Sequence, residues 1–497
     1  MSLLRSTRHI LLTRNVRATP WRRMAGIPFQ NDLTPMDDDL FGLSDFKHYK
    51  PVDEGHSEVD TVFHDPESLS DVLPVGGDVL TSVDDNILTS VDDDFGLSAF
   101  SFYTPAAGVI NEKGMHSEYP QMAALPDEGS ALHISPQKES MSLPQLEATC
   151  KAEEPVAFIS RMSDPYVNLA LEDYIYNNMP LKPSSKTPGI TNCNRLLFYT
   201  NTPCVVIGKN QNPYKEANLP LLRSLGIPFV RRKSGGGTVV HDQGNVNYSF
   251  MTTKEQFDRH QFGSVIVKEV NVAKGEGAPK FPVKLNARGD IVNAVSGEKI
   301  SGSAYKLSKG RSYHHGTMLL ESNLDVLRQL LRRDPAQLGV VKSASVDSVS
   351  SPVMNLGMDA DLFIDQVIYG FQQEYGPAQV VEIVSEEQLP PKVLEEAQNL
   401  KSWEWKFGSS PKFTHTFTNT THSFDITFEV SRGYLDAFHV TPHGGVTIKE
   451  MDMWFKYLKQ VVGDDAKQLR YGGSEVAGYI LEDTVSDWIG LSIDGTL

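Results

Sequence analysis

The sequence predicts an α+β protein in which a strand-rich middle is flanked by helices. Two observations carry this. Three consecutive glycines, Gly235, Gly236 and Gly237, sit between a strand-like run ending at Val230 and the β-branched run Thr238-Val239-Val240, so the turn joins two strands and no helix begins there. Ahead of it, Leu169, Leu171, Tyr174, Ile175 and Met179 give a mainly apolar helical face, and 361–375 is the clearest of the helices after residue 323.

The 497 residues have room for two or three domains, and 40% hydrophobic residues suit an ample core. No apolar run approaches the length of a membrane span. Three scattered cysteines, Cys150, Cys193 and Cys204, make neither a disulfide framework nor a zinc site and indicate a reducing compartment. The net charge of −17 is unevenly placed. Residues 32–150 carry 24 acidic and 4 basic side chains, whereas residues 1–31 carry six arginines and no acid. The remainder is close to neutral, so charge says little about its partners.

Residues 1–31 read as a mitochondrial presequence, since Arg5, Arg8, Arg14, Arg17, Arg22 and Arg23 stand among Leu, Ile, Ser and Thr. A matrix location follows from that reading. Residues 32–154 read as an acidic disordered linker with near-duplicate phrases, DDDLFGLSDF against DDDFGLSAF. Ordered structure is expected from about Val156, with a domain over 155–400 and a smaller one over 401–497. VAFIS is a strand, and Ser163-Asp164-Pro165 starts a helix. Residues 196–199 and 204–207 read as a strand pair, 208–218 as a polar loop, 219–225 as a helix and 227–231 as a strand. A helix over 262–273 precedes further strands with a polar insert at 286–290. In the last hundred residues HSFDITFEV, GYLDAFHVT and GGVTIKE read as strands, with helices over 451–461 and 473–481.

The glycine turn is the stretch that most resembles a ligand site. Glycines reach positive φ and let backbone amides approach a ligand, and successive amides can form an anion nest. Arg231, Arg232 and Ser234 stand beside it, and a guanidinium fork suits carboxylate or phosphate. A plain hairpin tip is the alternative. His241-Asp242 and Asn245-Val246-Asn247 then place polar groups in an otherwise apolar strand. A second phrase, KISGSAYK, begins at Lys299 after the tight turn Ser296-Gly297-Glu298. His314 and His315 are neighbours on a strand and point to opposite faces, which argues against a two-histidine metal site.

Six phrases in order, SDPYVNLALEDYI, VVIGKNQNPYKEAN, RRKSGGGTVVHDQGNVNYSFM, KISGSAYK, YHHGTMLL and SWEWKFG, resemble the lipoate-protein ligase A family and its mitochondrial lipoyltransferases. The likeness runs over about 156–413. It implies a fold similar to that of biotin ligases: mixed, largely antiparallel sheets flanked by helices, with a small C-terminal accessory α/β domain. By resemblance, Arg232 and the run Gly237, Thr238, Val239, Val240 would line the nucleotide and acyl site beside Gly235 and Gly236. Ser234, His241 and His315 would border the lipoyl adenylate, and Lys299 would contact the lipoyl carbonyl and the α-phosphate.

The resemblance implies two stages. Lipoate and ATP, with Mg²⁺, give lipoyl-AMP and pyrophosphate; a lysine amine on a lipoyl domain of an E2 subunit or of the glycine-cleavage H protein then takes the acyl group. No protein nucleophile is needed in that scheme. Where bacterial ligases commonly read GRNDL, this chain reads Ala287-Arg288-Gly289-Asp290-Ile291, so Gly289 replaces the asparagine expected at adenine while Asp290 remains as a Mg²⁺ contact. That departure bears on ATP activation and leaves an ATP-independent lipoyl or octanoyl transferase as the rival. A non-catalytic lipoyl-domain binding protein is a third reading. The resemblance carries no nucleic-acid partner and no membrane insertion, and a monomer is expected.

Overall fold

The computed structural model describes residues 138–182, 192–464 and 466–496; the arginine-rich segment 1–31 and the acidic repeats lie outside the described residues. Its strands are β1 (Glu139–Ser140), β2 (Val156–Ser160), β3 (Arg195–Tyr199), β4 (Cys204–Ile207), β5 (Phe229–Arg231), β6 (Val239–His241), β7 (Asn245–Thr253), β8 (Val283–Leu285) and β9 (Ile291–Asn293). They continue as β10 (Ser301–Ser308), β11 (Arg311–Leu319), β12 (Val340–Ser343), β13 (Gln379–Ile383), β14 (Phe413–Asn419), β15 (Phe424–Ser431) and β16 (Tyr434–Pro442).

A seven-stranded mixed sheet of order β1-β13-β2-β3-β7-β11-β10 forms the centre. The pairs from β1 to β3 are parallel and those from β3 to β10 antiparallel. Strands β2 and β3 are buried on both faces, which is why VAFIS and RLLFY read as almost continuous apolar runs. Alternation then sorts their side chains. Phe158 and Leu197 pack with the helices Pro165–Asn178 and Pro391–Lys401, through Leu169, Ile175, Val393 and Leu400. Ala157, Leu196 and Phe198 face Gln261–Val272 and Ala360–Tyr375, through Phe262, Ile266, Phe363 and Val367. The first of these helices starts where the sequence places it: Asp164 accepts from the amides of Tyr166 and Val167, and Pro165 stands in the first turn. The architecture is α+β, with mixed, largely antiparallel sheets flanked by helices.

Four expectations are corrected. The described chain already contains β1 and a helix at Leu143–Cys150, inside the stretch read as linker. A Ser142/Gln145 capping box starts that helix. Arg195, fully buried, donates to the carbonyls of Ala152, Glu154 and Cys193 beyond its end. Second, β3 and β4 do not pair: β4 lies in a three-stranded sheet of order β5-β4-β6, parallel to β5 and antiparallel to β6. Third, the boundary at 400/401 is crossed. Strand β12 joins the sheet β12-β14-β15-β16, and one core gathers Val205, Leu222 and Phe229 with Phe413, Phe424, Phe428 and Val485. Fourth, GGVTIKE is not a strand. Thr447 and Glu450 form a capping box that starts the helix Ile448–Trp454. Among the described residues no helix is long and apolar enough to cross a membrane.

Candidate active site

Because β5 and β6 flank β4 instead of pairing with each other, the connection 232–238 must cross an intervening strand, which removes the hairpin-tip reading. Both arginines serve the protein's own backbone. Arg231, fully buried, donates to the carbonyls of Lys209 and Gln211 at 2.7 Å each and to Lys406 O at 2.8 and 3.0 Å, tying the strand to the loop 208–218 and to the turn before β14. Arg232 donates to Gly235 O at 2.6 Å, Gly237 O at 2.7 Å and Val206 O at 3.2 Å. The fork expected to meet an anion is thus committed to the turn's carbonyls, fixing the shape of the glycine loop. Burial lowers the Arg232 pKa to about 10.

The turn is closely seated. Gly236 has φ +87°, a region costly for residues with a Cβ. A Cβ there would also lie 3.2 Å from Cβ of Ala304 on β10, and one on Gly208 would run into Gly236 O. Gly302 of β10 similarly faces Val239. The phrase KISGSAYK therefore backs the glycine turn, and its small residues are what permit the approach. Val239 and His241 lie on one face of β6 and Val240 on the other, by the two-residue period of a strand. Val240 joins the core shared with Val205 and Phe413, so its expected place at the site is corrected.

Beside the turn lies a buried polar chain. Ser234 Oγ is 2.7 Å from His315 Nε2, and His315 Nδ1 is 3.0 Å from Glu172 Oε1 and 3.2 Å from Oε2. Arg232 Nε donates to Ser234 Oγ at 3.0 Å. His315 and His314 do point oppositely, since His314 Nε2 is 3.0 Å from Ser303 Oγ and its ring lies tilted against Tyr305. His241 Nδ1 is 2.9 Å from Asn201 Nδ2, so this nitrogen accepts. Burial first, then the charge of Arg232, pushes the His241 pKa down to about 3 and keeps it neutral. Asp242 is structural: it accepts from the Ser322 hydroxyl and the Asn323 amide. Asn201 also lines a groove of about 320 Å³ together with Ser160, Tyr199 and Gln243.

Lys299 lies just ahead of β10, bridged to Val292 and Val353, and its Nζ is 3.0 Å from Asp290 Oδ1. The Lys299 side chain is 28% exposed, neither free in solvent nor sealed. Asp290 closes the turn after β8, where Asn286 Oδ1 accepts from the amides of Arg288 and Asp290. Gly289 takes φ +83° there, and a Cβ would lie 3.3 Å from the Tyr305 hydroxyl. Among the described residues no three His, Cys, Asp or Glu side chains cluster to hold a metal ion. One carboxylate is nonetheless enough for Mg²⁺ when substrate phosphates supply further oxygens.

The segment 345–353 connects these two parts. Lys299 N donates to Pro352 O and Met354 N to Lys299 O. At its other end Ser348 Oγ accepts from Thr238 N at 2.8 Å and from Gln211 Nε2 at 3.0 Å, and donates to Glu216 Oε2. Thr238 Oγ1 donates to Gln211 Oε1 at 3.0 Å. This serine-rich stretch thus lies against the glycine turn. Glu172 was also missed. An acid at 172 falls three residues after Leu169 and three before Ile175, on the buried stripe of the helix, and that spacing could have found it. The three cysteines are buried and free, and burial pushes the Cys150 thiol up to about 12.

Residues 164–375 match the family described as Lipoyl protein ligase A/B catalytic domain. A Schizosaccharomyces pombe protein that bears the name lipoate-protein ligase A by inference is 38% identical over 301 residues, covering 56% of this chain and 77% of that protein. The mitochondrial lipoyl amidotransferase LIPT1 of Homo sapiens is 35% identical over 294 residues, covering 58% and 73%. Among solved structures, LipL1 of P. falciparum in complex with lipoate aligns with 67% of this chain and 97% of its own, at 23% identity and a TM-score of 0.43. At that identity to relatives it spans by more than two thirds, this chain belongs to the lipoate-protein ligase and lipoyltransferase family, enzymes that acylate lysine.

Proposed function

We propose that the chain attaches a lipoyl group, in amide linkage, to a lysine of lipoyl domains of 2-oxoacid dehydrogenase E2 subunits and of the H protein, in the mitochondrial matrix. The observation that supports this is that Lys299 and the glycine turn both bond to the segment 345–354, Lys299 through Pro352 and Met354 and the turn through Ser348. Arg232 holds the peptides of the turn in shape, and their amides would face the acyl donor from one side with the Lys299 ammonium on the other. Such a preorganised set stabilises charge that develops on an acyl carbonyl and on a phosphate without reorganisation. Lys299 would leave Asp290 for the phosphate of lipoyl-AMP, and Asp290 with the nucleotide's own oxygens would hold Mg²⁺. Magnesium would neutralise phosphate charge when ATP is bound; positioning of the acyl group falls to Ser234, His315 and the turn.

Gly289 favours a second reading, in which the acyl group arrives preformed from lipoyl-AMP or from acylated H protein. At φ +83° the position offers adenine no side chain, and Tyr305, His260 and Arg259 already crowd it. One assay tests both: the full chain and an apo lipoyl domain receive, in turn, lipoate with ATP, lipoyl-AMP, and lipoylated H protein. Mass gain with the first supports the ligase, gain with only the others the transferase. No gain under any condition contradicts both.

A further inference from the structure

We propose that the free edge of β10 is the docking edge for the acceptor protein: an extended, acidic strand of the acceptor adds to the central sheet along Ser303, Tyr305 and Leu307. The proposal rests on the lysine-acylating reading above and names the surface on which its protein acceptor sits.

β10 is the last strand of the seven-stranded sheet and has β11 on one side only. Its eight pairs with β11 run in unbroken register from Ser301 with Met318 to Ser308 with Arg311, joined by Lys309 and Gly310, both at positive φ. A two-residue turn of that kind makes 308 and 311 a hydrogen-bonded pair, so even-numbered residues of β10 turn their main-chain groups to β11 and odd-numbered ones turn theirs outward. The bond from Leu319 N to Ile300 O agrees with this parity. Sheet edges are usually shielded by proline, a bulge or a covering segment. β10 has neither proline nor bulge, and among the described residues nothing bonds to the outward amides and carbonyls of Ser303, Tyr305 and Leu307.

The protein's own chain already extends this edge at its start. Lys299, just ahead of β10 and of the same parity, donates its outward amide to Pro352 O and accepts from Met354 N, so Val353 lies beside it as a parallel partner. That pairing stops there and leaves the rungs from 303 to 307 open. A strand that fills them continues the edge on which Lys299 stands, and so brings an adjoining lysine of its own protein toward the acyl donor. Main-chain pairing can hold a folded acceptor in that register whatever its side chains. Charge narrows the choice. Arg259 lies 5.3 Å over the Tyr305 ring, Arg288 adjoins Gly289 against the same tyrosine, and Lys254 and Lys309 are exposed at the hairpin end, with Glu255 and Asp258 as the nearby acids. This row repels a second copy of itself and suits an acidic strand.

The test is residue-resolved amide hydrogen exchange on the full chain, with and without a saturating apo lipoyl domain. The amides of Ser303, Tyr305 and Leu307 should slow about 10-fold or more when the domain is added, whereas those of Gly302, Ala304 and Lys306, already bonded to β11, should not change. Leu307→Pro removes one outward donor and no bond to β11, and it puts a ring where the added strand would lie. It should raise KM for the domain about 10-fold while kcat and lipoyl-AMP binding stay as in the wild type. Lys254→Glu combined with Lys309→Glu should raise the same KM about 3- to 10-fold. The exchange pattern is read on the wild type, so a folding defect in the proline variant leaves the test intact. Three results would each overturn the proposal and leave the functional reading standing: acylation of the domain without the odd–even pattern, an unchanged KM in either folded variant, or the same protection appearing without the domain as the chain is concentrated. If no donor acylates a lipoyl domain, the functional reading itself fails and the proposal falls with it.

Discussion

Two buried histidines on strands of different sheets show what makes a site. His315 on β11 lies between a serine hydroxyl and a carboxylate; His415 on β14 lies between the Leu338 carbonyl at 2.7 Å and the Tyr471 hydroxyl at 2.9 Å, among Tyr214, Phe413 and Phe417. Both are buried and both have two partners. Burial and satisfied hydrogen bonding therefore do not distinguish a chemical group from a structural one. The surroundings do: His315 joins a serine of the glycine turn to a carboxylate, whereas His415 holds a carbonyl and a phenol inside an aromatic cluster.

The comparison predicts a crossed pattern in paired variants. His315→Gln should reduce lipoyl transfer about 10-fold or more with little change in melting, as expected if the ring positions the acyl donor beside Ser234. His415→Gln should do the reverse, lowering stability by about 2–3 kcal/mol in denaturant titration through lost packing and an unsatisfied buried group, while the folded enzyme keeps its rate. Equal effects of the two variants on transfer would break the distinction. Phe424→Ala, in the same core as His415, should cost about 3–5 kcal/mol and leave the transfer rate of the folded fraction unchanged.

The two histidines should also separate in pH titration. Burial lowers the His415 pKa from the usual 6.5 to about 3. Below pH 6.5 the unfolded chain then binds the proton that the folded chain refuses. Stability from this group is complete above about pH 6.5 and is lost progressively as pH falls toward 3, with a slope of at most about 1.4 kcal/mol per pH unit. His415→Gln should flatten that acid slope in a series of thermal melts, with the part due to His241 and His314 remaining. The smallest effect is expected at the surface. Lys215 and Asp347 pair at the outer side of the segment 345–353, and Lys215→Ala should change stability by under about 1 kcal/mol. A larger loss would mean that this segment is held to the loop 208–218 chiefly by charge.

Much of this was legible in local pattern. VAFIS, the proline-capped helix at 165, the opposed His314 and His315, and a glycine turn joining strands all depend on neighbours within a few residues. What the sequence did not disclose depends on distant pairing. Strand β12 takes its partner from β14, more than sixty residues on. The neighbours β3 and β4 enter separate sheets although Leu197 and Tyr199 share a core with Cys204 and Val206, because Val205 and Ile207 on the other face of β4 join the core of the last strands. The arginines beside the turn were visible as a possible anion fork, yet only the fold shows their donors turned onto carbonyls. Glu172 was hidden in plain sight, one acid on an apolar stripe, because its meaning lies in His315, 143 positions away.

The central claim is that Lys299 and the glycine turn act on one acyl donor. The most direct measurement is the single-turnover rate at which lipoyl-AMP labels an apo lipoyl domain, read by intact mass, for the wild-type chain and Lys299→Ala. Loss of a preorganised charge at the reacting carbonyl and phosphate predicts a rate about 10²- to 10³-fold lower with an unchanged melting curve. A variant that labels the domain as fast as the wild type would contradict the account.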